Sequence, residues 1–348
     1  MAKIGVLTGG GDCPGLNAVV RAVVRRADEY GYEVMGVREG WRGLLDPPNH
    51  DRLTRERVRG ILHLGGTILG TSRDTPFQKG PDGKDRVEQL LRNIDRLHVE
   101  ALVAIGGEGT LNVAYKLSEL GVKIVGVPKT IDNDIPGTDL TFGFDTAVSI
   151  ATEAIDRLHS TAEAHSRAMI VEVMGRHAGW IATYCGIAGG ADLVLVPEYP
   201  IDMDALCASL ARRHAKSHFS IVVVAEGARI QVDGSREAEL VSRGVDDFGR
   251  PQLGGIGEVL AREIERRLRI QTRVSVLGYV QRGGTPTAFD RVLATRFGVA
   301  AADFVHLDHF GKMCALRGRN IEPVPLSVVA GKIKTVDEIY DVARVFFA

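Results

Sequence analysis

Two carboxylates one residue apart, Asp132 and Asp134, follow a short apolar segment at residues 124–127. At the end of a strand in an open α/β sheet, such side chains enter the crevice where ligands bind. If the segment is locally extended, residues two positions apart point to the same side. One carboxylate could then accept a proton while the other holds a metal ion or water. The alternative is a purely structural turn, which Asp and Asn commonly form.

Three glycine-rich segments could bind anions. Residues 9–15 and 106–110 each follow a predicted strand and precede a predicted helix, and residues 64–73 carry further glycines. Backbone N–H groups at a helix N-terminus bind phosphate in this arrangement, although neither the P-loop spacing nor G-x-G-x-x-G is present. The alternative is a set of tight turns that need positive φ. Arg73 either clamps a phosphate or is a solvated loop arginine.

Glu108 places an acid inside the second of these strand–glycine–helix segments. A carboxylate repels a bare phosphate, so its presence suggests a bridging Mg²⁺, which favours oxygen ligands. Trp41, after the second predicted strand, either stacks on a planar ligand ring or is a core aromatic. Candidate cationic residues for an anionic ligand are Arg73, Arg167, Arg176, Arg273 and Arg282.

These residue types suit phosphoryl transfer, in which catalysis is mostly positioning and charge neutralisation. A hydroxyl acceptor needs an adjacent general base, for which Asp132 or Asp134 is the candidate. No Ser-His-Asp or Cys-His order stands out. The His214–His218 pair has Ala215 where a zinc protease needs a glutamate, so it predicts a solvated helix end.

Strands and helices alternate along most of the chain, and predicted strand ends deliver Arg176, Glu226 and Arg282 as well. Ligand contacts usually occupy this position in α/β sheets. Two sheets of alternating β and α elements fit the 348 residues better than one long sheet, in line with about 150 residues per domain.

The composition is that of an ordinary soluble globular protein, with 45% hydrophobic and 25% charged residues. A net charge of −1 gives no global attraction to nucleic acid or to an anionic membrane. The apolar runs are strand-sized and no signal-peptide pattern is seen, so we predict a cytoplasmic location without membrane insertion. The four scattered cysteines favour neither zinc nor disulfides. Cys13 is either a reactive thiol or a small packing residue.

Taken together, five segments resemble motifs of the 6-phosphofructokinase family. They occur in the family's order and cover nearly the whole chain. The segments are residues 9–17, 106–110, 128–134, 174–176 and 281–284. Each motif is weak alone, but the set is highly specific.

The resemblance implies two Rossmann-like three-layer α/β/α domains with mostly parallel sheets and an active site in the cleft between them. A larger domain for the nucleotide or phosphoryl donor would comprise residues 1–143 plus about 281–331. A smaller sugar-phosphate domain would comprise about 144–280 plus 332–348. The implied reaction transfers a phosphoryl group from ATP to the 1-hydroxyl of fructose 6-phosphate with Mg²⁺, a step of glycolysis.

The resemblance also implies roles for individual residues. Asp132 would take the proton from the sugar hydroxyl, flanked by Thr130 and Asp134, and Arg176 would neutralise the transferring phosphoryl group. Glu108 and Asp134 would hold Mg²⁺. The donor would contact Gly11, Trp41, Arg73, Gly107, Glu108, Gly109 and Thr110. The sugar phosphate would contact Thr130, Ile131, Asp132, Met174, Gly175, Arg176, Glu226, Tyr279, Val280, Gln281 and Arg282. Arg167 and Arg273 would reach it from a neighbouring subunit, which implies a homodimer or homotetramer.

Two positions bear on the phosphoryl donor. Gly109 resembles ATP-using members of the family, because an aspartate there would crowd and repel the α-phosphate. Lys129 resembles pyrophosphate users. We give the steric argument more weight and predict ATP, in a mixed-substrate subgroup, with a pyrophosphate-dependent enzyme as the alternative.

Departures from the family pattern predict weaker contacts elsewhere. Tyr279 replaces a histidine beside the 6-phosphate, and a phenol donates a hydrogen bond but carries no positive charge. At the family's effector site, Arg21 and Arg25 are present, but His159 replaces an arginine and Asp192 replaces a metal-binding glutamate. The segment 215–218 has lost most of its basic charge. We therefore predict weak or absent control by ADP and phosphoenolpyruvate.

Two further alternatives concern the class of protein. One is the wider group of kinases with a G-G-D-G-T motif, acting on NAD or lipids, which does not explain the paired-Asp turn or residues 281–284. The other is a nucleotide-binding regulator with an inactive site. Against it, every residue with an implied catalytic role is of a competent type.

Overall fold

The computed structural model describes residues 2–79, 83, 85–231, 238–245, 251–336 and 338–347. The chain forms two compact units. The first comprises Met1–Ile131, Ile135–Thr146 and Arg282–Lys332, and the second comprises Asp132–Asp134, Ala147–Gln281 and Ile333–Ala348.

The regular elements alternate along the chain. The strands are β1 (Lys3–Gly9), β2 (Glu33–Val37), β3 (His50–Leu53), β4 (Ala101–Gly106), β5 (Ile124–Pro128), β6 (Ala168–Val173), β7 (Leu193–Leu195), β8 (Ser220–Ala225), β9 (Arg229–Gln231), β10 (Ala238–Leu240), β11 (Ser242–Val245), β12 (Pro251–Leu253), β13 (Thr272–Val276), β14 (Lys312–Arg317) and β15 (Asn320–Pro325). The helices are α1 (Leu16–Glu29), α2 (Val87–Arg96), α3 (Glu108–Glu119), α4 (Phe144–Ala164), α5 (Trp180–Ala188), α6 (Met203–Ser217), α7 (Ile256–Leu268), α8 (Ala288–His306) and α9 (Glu338–Arg344).

The first unit is built on a seven-stranded sheet in the order β15-β14-β5-β4-β1-β2-β3. Neighbours from β14 to β2 pair in parallel, and the edge strands β15 and β3 pair antiparallel. All six residues of β4 are buried, as expected for a strand covered on both faces. Because β1 leads to β2 on one side while β4 lies on the other, the strand order reverses between β1 and β4, where α/β sheets bind ligands.

The second unit contains a four-stranded, fully parallel sheet in the order β13-β6-β8-β7. Strands β6 and β8 are buried throughout. A core around Ile170, Val222, Leu260 and Ile264 joins the sheet to α6 and α7. Two mostly parallel sheets with helical connections confirm the predicted α/β class. In the described residues, no helix combines the length and apolar character that crossing a bilayer requires.

A buried carboxylate joins the first residues of α4 to those of α8 within the first unit. Asp290 is fully buried, and its Oδ2 accepts hydrogen bonds from Thr146 N at 2.8 Å and from Thr146 Oγ1 at 2.6 Å. Thr287 caps α8, because its Oγ1 accepts a hydrogen bond from Asp290 N. Burial penalises the ionised carboxylate and raises the pKa of Asp290 from 3.8 to about 6.

Replacing Asp290 with asparagine should change how stability depends on pH. The raised pKa favours the folded state below the unfolded pKa, and this contribution is lost as the pH rises through about 6. Asparagine keeps a neutral acceptor for Thr146 at every pH. The free energy of unfolding of the variant, relative to the parent, should therefore increase by about 2 kcal/mol from pH 4.5 to 7. Urea titrations at both pH values measure it, and a pH-independent difference would contradict the assignment.

Candidate active site

Three loops leave the first sheet at the same level of one edge. The register pairs Gly9 of β1 with Gly106 of β4, and Gly106 with Pro128 of β5. The two glycine-rich segments at 9–15 and 106–110 are therefore neighbours, and the segment that leads to Asp132 follows on the adjacent strand. This is the carboxyl edge of the sheet, at the reversal of strand order, where phosphate-binding loops occur.

The glycines at the two strand ends make room for one side chain. A Cβ atom at Gly9 would lie 2.6 Å from Thr110 Oγ1, and one at Gly106 would lie 2.4 Å from the same atom. Thr110 is buried accordingly. Close packing of α3 against β1 and β4 therefore requires both glycines.

The N-terminus of α3 faces the loops with its backbone. Its N-cap is Gly107, which has no side chain to cap the first turn, so N–H groups there are suited to an anion. Glu108 is partly exposed and Gly109 is exposed. No heavy atom lies within 4 Å of the position that a Cβ of Gly109 would take. A side chain at residue 109 would thus project into open space beside the helix terminus.

Two cations converge on Gly11 in the loop after β1. Lys129, which is buried, donates a hydrogen bond from Nζ to the Gly11 carbonyl oxygen. A Cβ atom at Gly11 would lie 2.6 Å from Arg282 Nη1. The structure thereby gives Lys129 a definite place at the first glycine-rich loop. Arg282 also lies at this loop, whereas the family resemblance implied that it contacts the sugar phosphate.

The third glycine-rich segment is tied to the same loop. Gly10 N donates to Ser72 O at 2.9 Å, and Thr71 Oγ1 donates to Gly10 O at 2.6 Å. Arg73, the next residue, is exposed. The segment that carries Arg73 is thus held beside the loop after β1. This position is the one that the first of its two predicted roles, a phosphate clamp, requires.

Trp41 requires a correction. Its side chain is 2% exposed and belongs to the core cluster that includes Leu44, Leu90 and Val99. An aromatic ring so enclosed has no free face for a ligand to stack on. The core alternative is the one observed, and the predicted contact of Trp41 with a nucleotide base is withdrawn.

In the second unit, the turn at Asp132–Asp134 is not locally extended as assumed. Asn133 has a φ of 50°, in the left-handed region, and is fully buried. Asp132 and Asp134 on either side of it are partly exposed, although Oδ1 of Asp132 is buried. This pattern comes from the turn and not from strand alternation.

The strand ends of the second unit place other predicted residues side by side. Val173 at the end of β6 pairs with Ala225 at the end of β8, so Arg176 and Glu226 follow on neighbouring strands. Glu226 N donates to Val173 O at 2.8 Å, and Gly227 N donates to Gly175 O at 3.0 Å. Arg176 and Glu226 are both partly exposed.

The Gln281 side chain is fully buried and forms hydrogen bonds within the second unit. Its Oε1 accepts from Met174 N at 3.3 Å, and its Nε2 donates to Gly278 O at 3.1 Å. The Gln281 side chain therefore fixes Met174, a structural role that was not predicted. Met174 and Ile131 are themselves buried.

The residues predicted to serve a shared site lie at one edge of the second sheet. Arg273 is on the edge strand β13 and is exposed, while Arg167 directly precedes β6 and donates from Nε to Gln271 Oε1. Tyr279 is 76% exposed and Val280 is 61% exposed.

The carboxylates assigned to Mg²⁺ fit the way this ion is usually held. Proteins bind Mg²⁺ through one or two carboxylates, with water and substrate phosphates completing the shell. Glu108, the first residue of α3 in the first unit, and Asp134, in the turn of the second unit, are each partly exposed, so each could contribute one carboxylate. Across the part of the chain that the structure describes, no group of three or more His, Cys, Asp or Glu side chains could form an all-protein metal cage.

Asp192 and His159, two residues that depart from the family's effector site, contact other residues of the second unit. Asp192 forms an ion pair with Arg213 at 2.7 Å, and it accepts a hydrogen bond from Ile221 N. His159 Nε2 lies 2.6 Å from Gly189 O. Cys13, in the first unit, is buried, and burial raises the pKa of its thiol. It is therefore a packing residue and not a reactive thiol.

One residue at the turn, Lys334, was not among the predicted site residues. Its Nζ donates to Asn133 Oδ1 at 3.1 Å, and its backbone N–H donates to Asp134 O at 2.9 Å. Lysine is the usual residue of an exposed loop, so no local pattern marks this one out. Only the fold brings it to a turn that is about two hundred residues distant in sequence.

Comparison with known proteins gives a consistent result. The family model described as Phosphofructokinase matches residues 3–305. The chain is 55% identical to a pyrophosphate–fructose 6-phosphate 1-phosphotransferase of Streptomyces coelicolor, covering 99% of both chains. It is 52% identical to an ATP-dependent 6-phosphofructokinase of Mycobacterium leprae, again covering 99% of both.

A solved structure of phosphofructokinase from Saccharomyces cerevisiae matches with a TM-score of 0.79 and 34% identity. The match covers 99% of this chain, but the chain spans only 47% of the yeast protein's length.

Proposed function

The chain belongs to the phosphofructokinase family, and from this premise we propose that it transfers a phosphoryl group from ATP to the 1-hydroxyl of fructose 6-phosphate. The products are fructose 1,6-bisphosphate and ADP, as in glycolysis. The observation that carries the proposal is the common edge of the first sheet, where the loops after β1, β4 and β5 start at one level. Such an edge suits a polyphosphate donor.

The donor phosphates are assigned to backbone groups and nearby cations of the first unit. Gly11 and residues 107–110 supply N–H groups, and exposed Arg73 supplies charge. Because Arg282 lies against Gly11, we assign it to a phosphate at this loop in addition to the 6-phosphate contact.

The acceptor is assigned to the second unit. Asp132 takes the proton of the sugar hydroxyl, with Thr130 and Asp134 flanking it, because a partly exposed carboxylate can reach a hydroxyl. Arg176 neutralises charge on the transferring phosphoryl group, since guanidinium pairs with phosphate oxygens. Met174, Gly175 and Glu226 line the sugar.

Phosphofructokinases generally use Mg²⁺, and here Glu108 and Asp134 are the residues proposed to hold it. Mg²⁺ held there would supply positive charge that neutralises the donor phosphates.

Self-association and location are further parts of the proposal. Arg167 and Arg273 are assigned to the 6-phosphate of a neighbouring subunit, in a homodimer or homotetramer, with Tyr279 and Val280 beside them. The exposed edge at β13 supports this assignment. A cytoplasmic location is supported by four free cysteines, as is usual in a reducing compartment.

A direct test follows the products. Purified protein with Mg²⁺, ATP and fructose 6-phosphate should give ADP and a sugar bisphosphate in equal amounts, measured by ion-exchange chromatography. Release of ADP without sugar bisphosphate would contradict the acceptor assignment. No turnover with any phosphoryl donor would favour a nucleotide-binding regulator with an inactive site.

Pyrophosphate remains the second candidate donor, because Lys129 is buried at Gly11 and adds a fixed positive charge there. A smaller donor, whose negative charge is concentrated on two phosphates, would benefit from this ammonium group. Against it, the open space at Gly109 leaves room for the α-phosphate of a nucleotide.

Saturation with fructose 6-phosphate should be hyperbolic and should not respond to ADP or phosphoenolpyruvate. The reason is that an anionic effector needs cationic partners, whereas His159 replaces the family's arginine and residues 215–218 have lost most of their basic charge. Initial rates over a range of fructose 6-phosphate, with and without each effector, measure this. Sigmoidal kinetics relieved by ADP would refute the prediction.

A further inference from the structure

Lys334 contacts the Asp132–Asp134 turn through both its main chain and its side chain. The backbone N–H donates to the carbonyl oxygen of Asp134 at 2.9 Å, and Nζ donates to Oδ1 of Asn133 at 3.1 Å. One residue from the C-terminal part of the chain thus holds two consecutive residues of the turn. All of these residues belong to the second unit.

Lys334 is itself held by the start of α5. Trp180 Nε1 donates to the Lys334 carbonyl oxygen at 2.8 Å, and Lys334 Nζ lies 4.9 Å from the centroid of the Trp180 ring. Two residues later, Val336 N donates to Glu198 Oε1 at 3.0 Å, and the same carboxylate accepts from Gly179 N. The ammonium group is therefore fixed in direction, because its backbone and its aromatic neighbour are both anchored.

The turn needs such support because its middle residue has an unfavourable backbone conformation. Asn133 has a φ of 50°, a region that residues other than glycine adopt at a cost and Asn more readily than most. Its side chain is fully buried. The peptide groups on either side of Asn133 carry Asp132 and Asp134, so any rotation at Asn133 redirects both carboxylates.

We propose that Lys334 is a positioning residue, which holds Asn133 in its left-handed conformation and thereby aims the Asp132 carboxylate at the acceptor hydroxyl. This inference rests on the proposed function, because it acts through Asp132 as the base. Its effect is expected in kcat and not in substrate affinity, since a base that is displaced by about 1 Å loses effective molarity while the substrate contacts remain.

The test replaces Lys334 with methionine. The variant keeps the backbone hydrogen bond to Asp134 and an unbranched side chain over Trp180, but it lacks the ammonium group. We expect kcat to fall about 10- to 100-fold, with the KM values of both substrates changed by less than about threefold. Lys334→Arg should restore most of kcat, because a guanidinium group can still donate to Asn133 and lie over the indole.

Lys332→Met is the matched control, because Lys332 is an exposed lysine two residues earlier. It should keep the parental kcat, and thermal unfolding should show all three variants folded. Parental kcat in Lys334→Met would overturn the proposal. So would a fall in kcat that Lys334→Arg does not restore, or one that Lys332→Met shares.

A double-mutant cycle separates this inference from the base assignment. In the Asp132→Asn background, Lys334→Met should have little further effect on kcat, because a positioning residue has nothing left to position. Additive losses would overturn the positioning role and leave the base assignment intact. Full activity of Asp132→Asn alone would instead remove the proposed function on which the inference rests.

Discussion

Replacing Asp132 with asparagine should lower kcat for phosphoryl transfer by about 10²–10⁴, the usual contribution of a positioned general base. Asparagine has nearly the same shape, so the left-handed turn at Asn133 and the hydrogen bonds of Lys334 should persist. The KM for fructose 6-phosphate should change much less than kcat, because the carboxylate is needed for proton removal more than for binding. Steady-state kinetics at saturating nucleotide measure both quantities.

Asp139→Asn is the matched control for that substitution. Asp139 lies in the same connection after β5, and its Oδ2 accepts a hydrogen bond from Gly318 N at 2.6 Å. The amide oxygen of asparagine can accept that bond too, so activity should stay at the parental level. If Asp132→Asn and Asp139→Asn were both as active as the parent, the base assignment would fail.

Replacing Gly109 with aspartate should lower kcat/KM for ATP by about 10²–10³, because a like charge next to a phosphate costs several kcal/mol. The protein itself should fold normally. No heavy atom lies within 4 Å of the new Cβ position, and an acid in the first turn of a helix is electrostatically favourable. The loss would therefore reflect contact with the donor. Parallel titrations with ATP and with pyrophosphate measure the change for each donor.

Gly109→Asn separates size from charge, because its side chain has the same shape without the charge. It should retain more ATP activity than Gly109→Asp. Full ATP activity in Gly109→Asp, with no gain of pyrophosphate activity, would remove the basis for choosing ATP.

Features set by local sequence were well predicted. At residues 9–15 and 106–110, an apolar strand pattern precedes the glycines and a helical pattern follows them. The strand, the turn and the helix can therefore all be predicted from the local sequence. The structure confirms the α/β class and places these loops on neighbouring strands. The glycines have an additional cause that was not foreseen, since those at positions 9 and 106 make room for Thr110.

Features set by tertiary packing were missed or wrong. The hairpin of β14 and β15 was not predicted, because residues 312–325 mix charged, small and proline residues that show no clean alternation. Trp41 is equally compatible with stacking and with burial until its neighbours are known. Gln281 carries a polar group that looks available for a ligand, and only the fold turns it inward to Met174.

The geometry of the Asp turn was also beyond local prediction. Asp-Asn-Asp predicts a turn, but it does not predict the positive φ of Asn133, its burial or its contact with Lys334, which the path of the C-terminal residues brings close. The pKa of Asp290 likewise depends on burial between α4 and α8, which no pattern in residues 287–290 reveals. The geometry of the turn and the pKa of Asp290 both depend on long-range contacts, which composition and periodicity cannot predict.

A single assay tests the central claim most directly. Fructose 6-phosphate and Mg²⁺ are supplied with either ATP or pyrophosphate, and formation of fructose 1,6-bisphosphate is followed with each donor. We predict that ATP supports turnover and that pyrophosphate supports far less, because Gly109 leaves space for the nucleotide's α-phosphate. Turnover with pyrophosphate alone would contradict the assignment of the donor, and turnover with neither donor would contradict the assignment of the reaction.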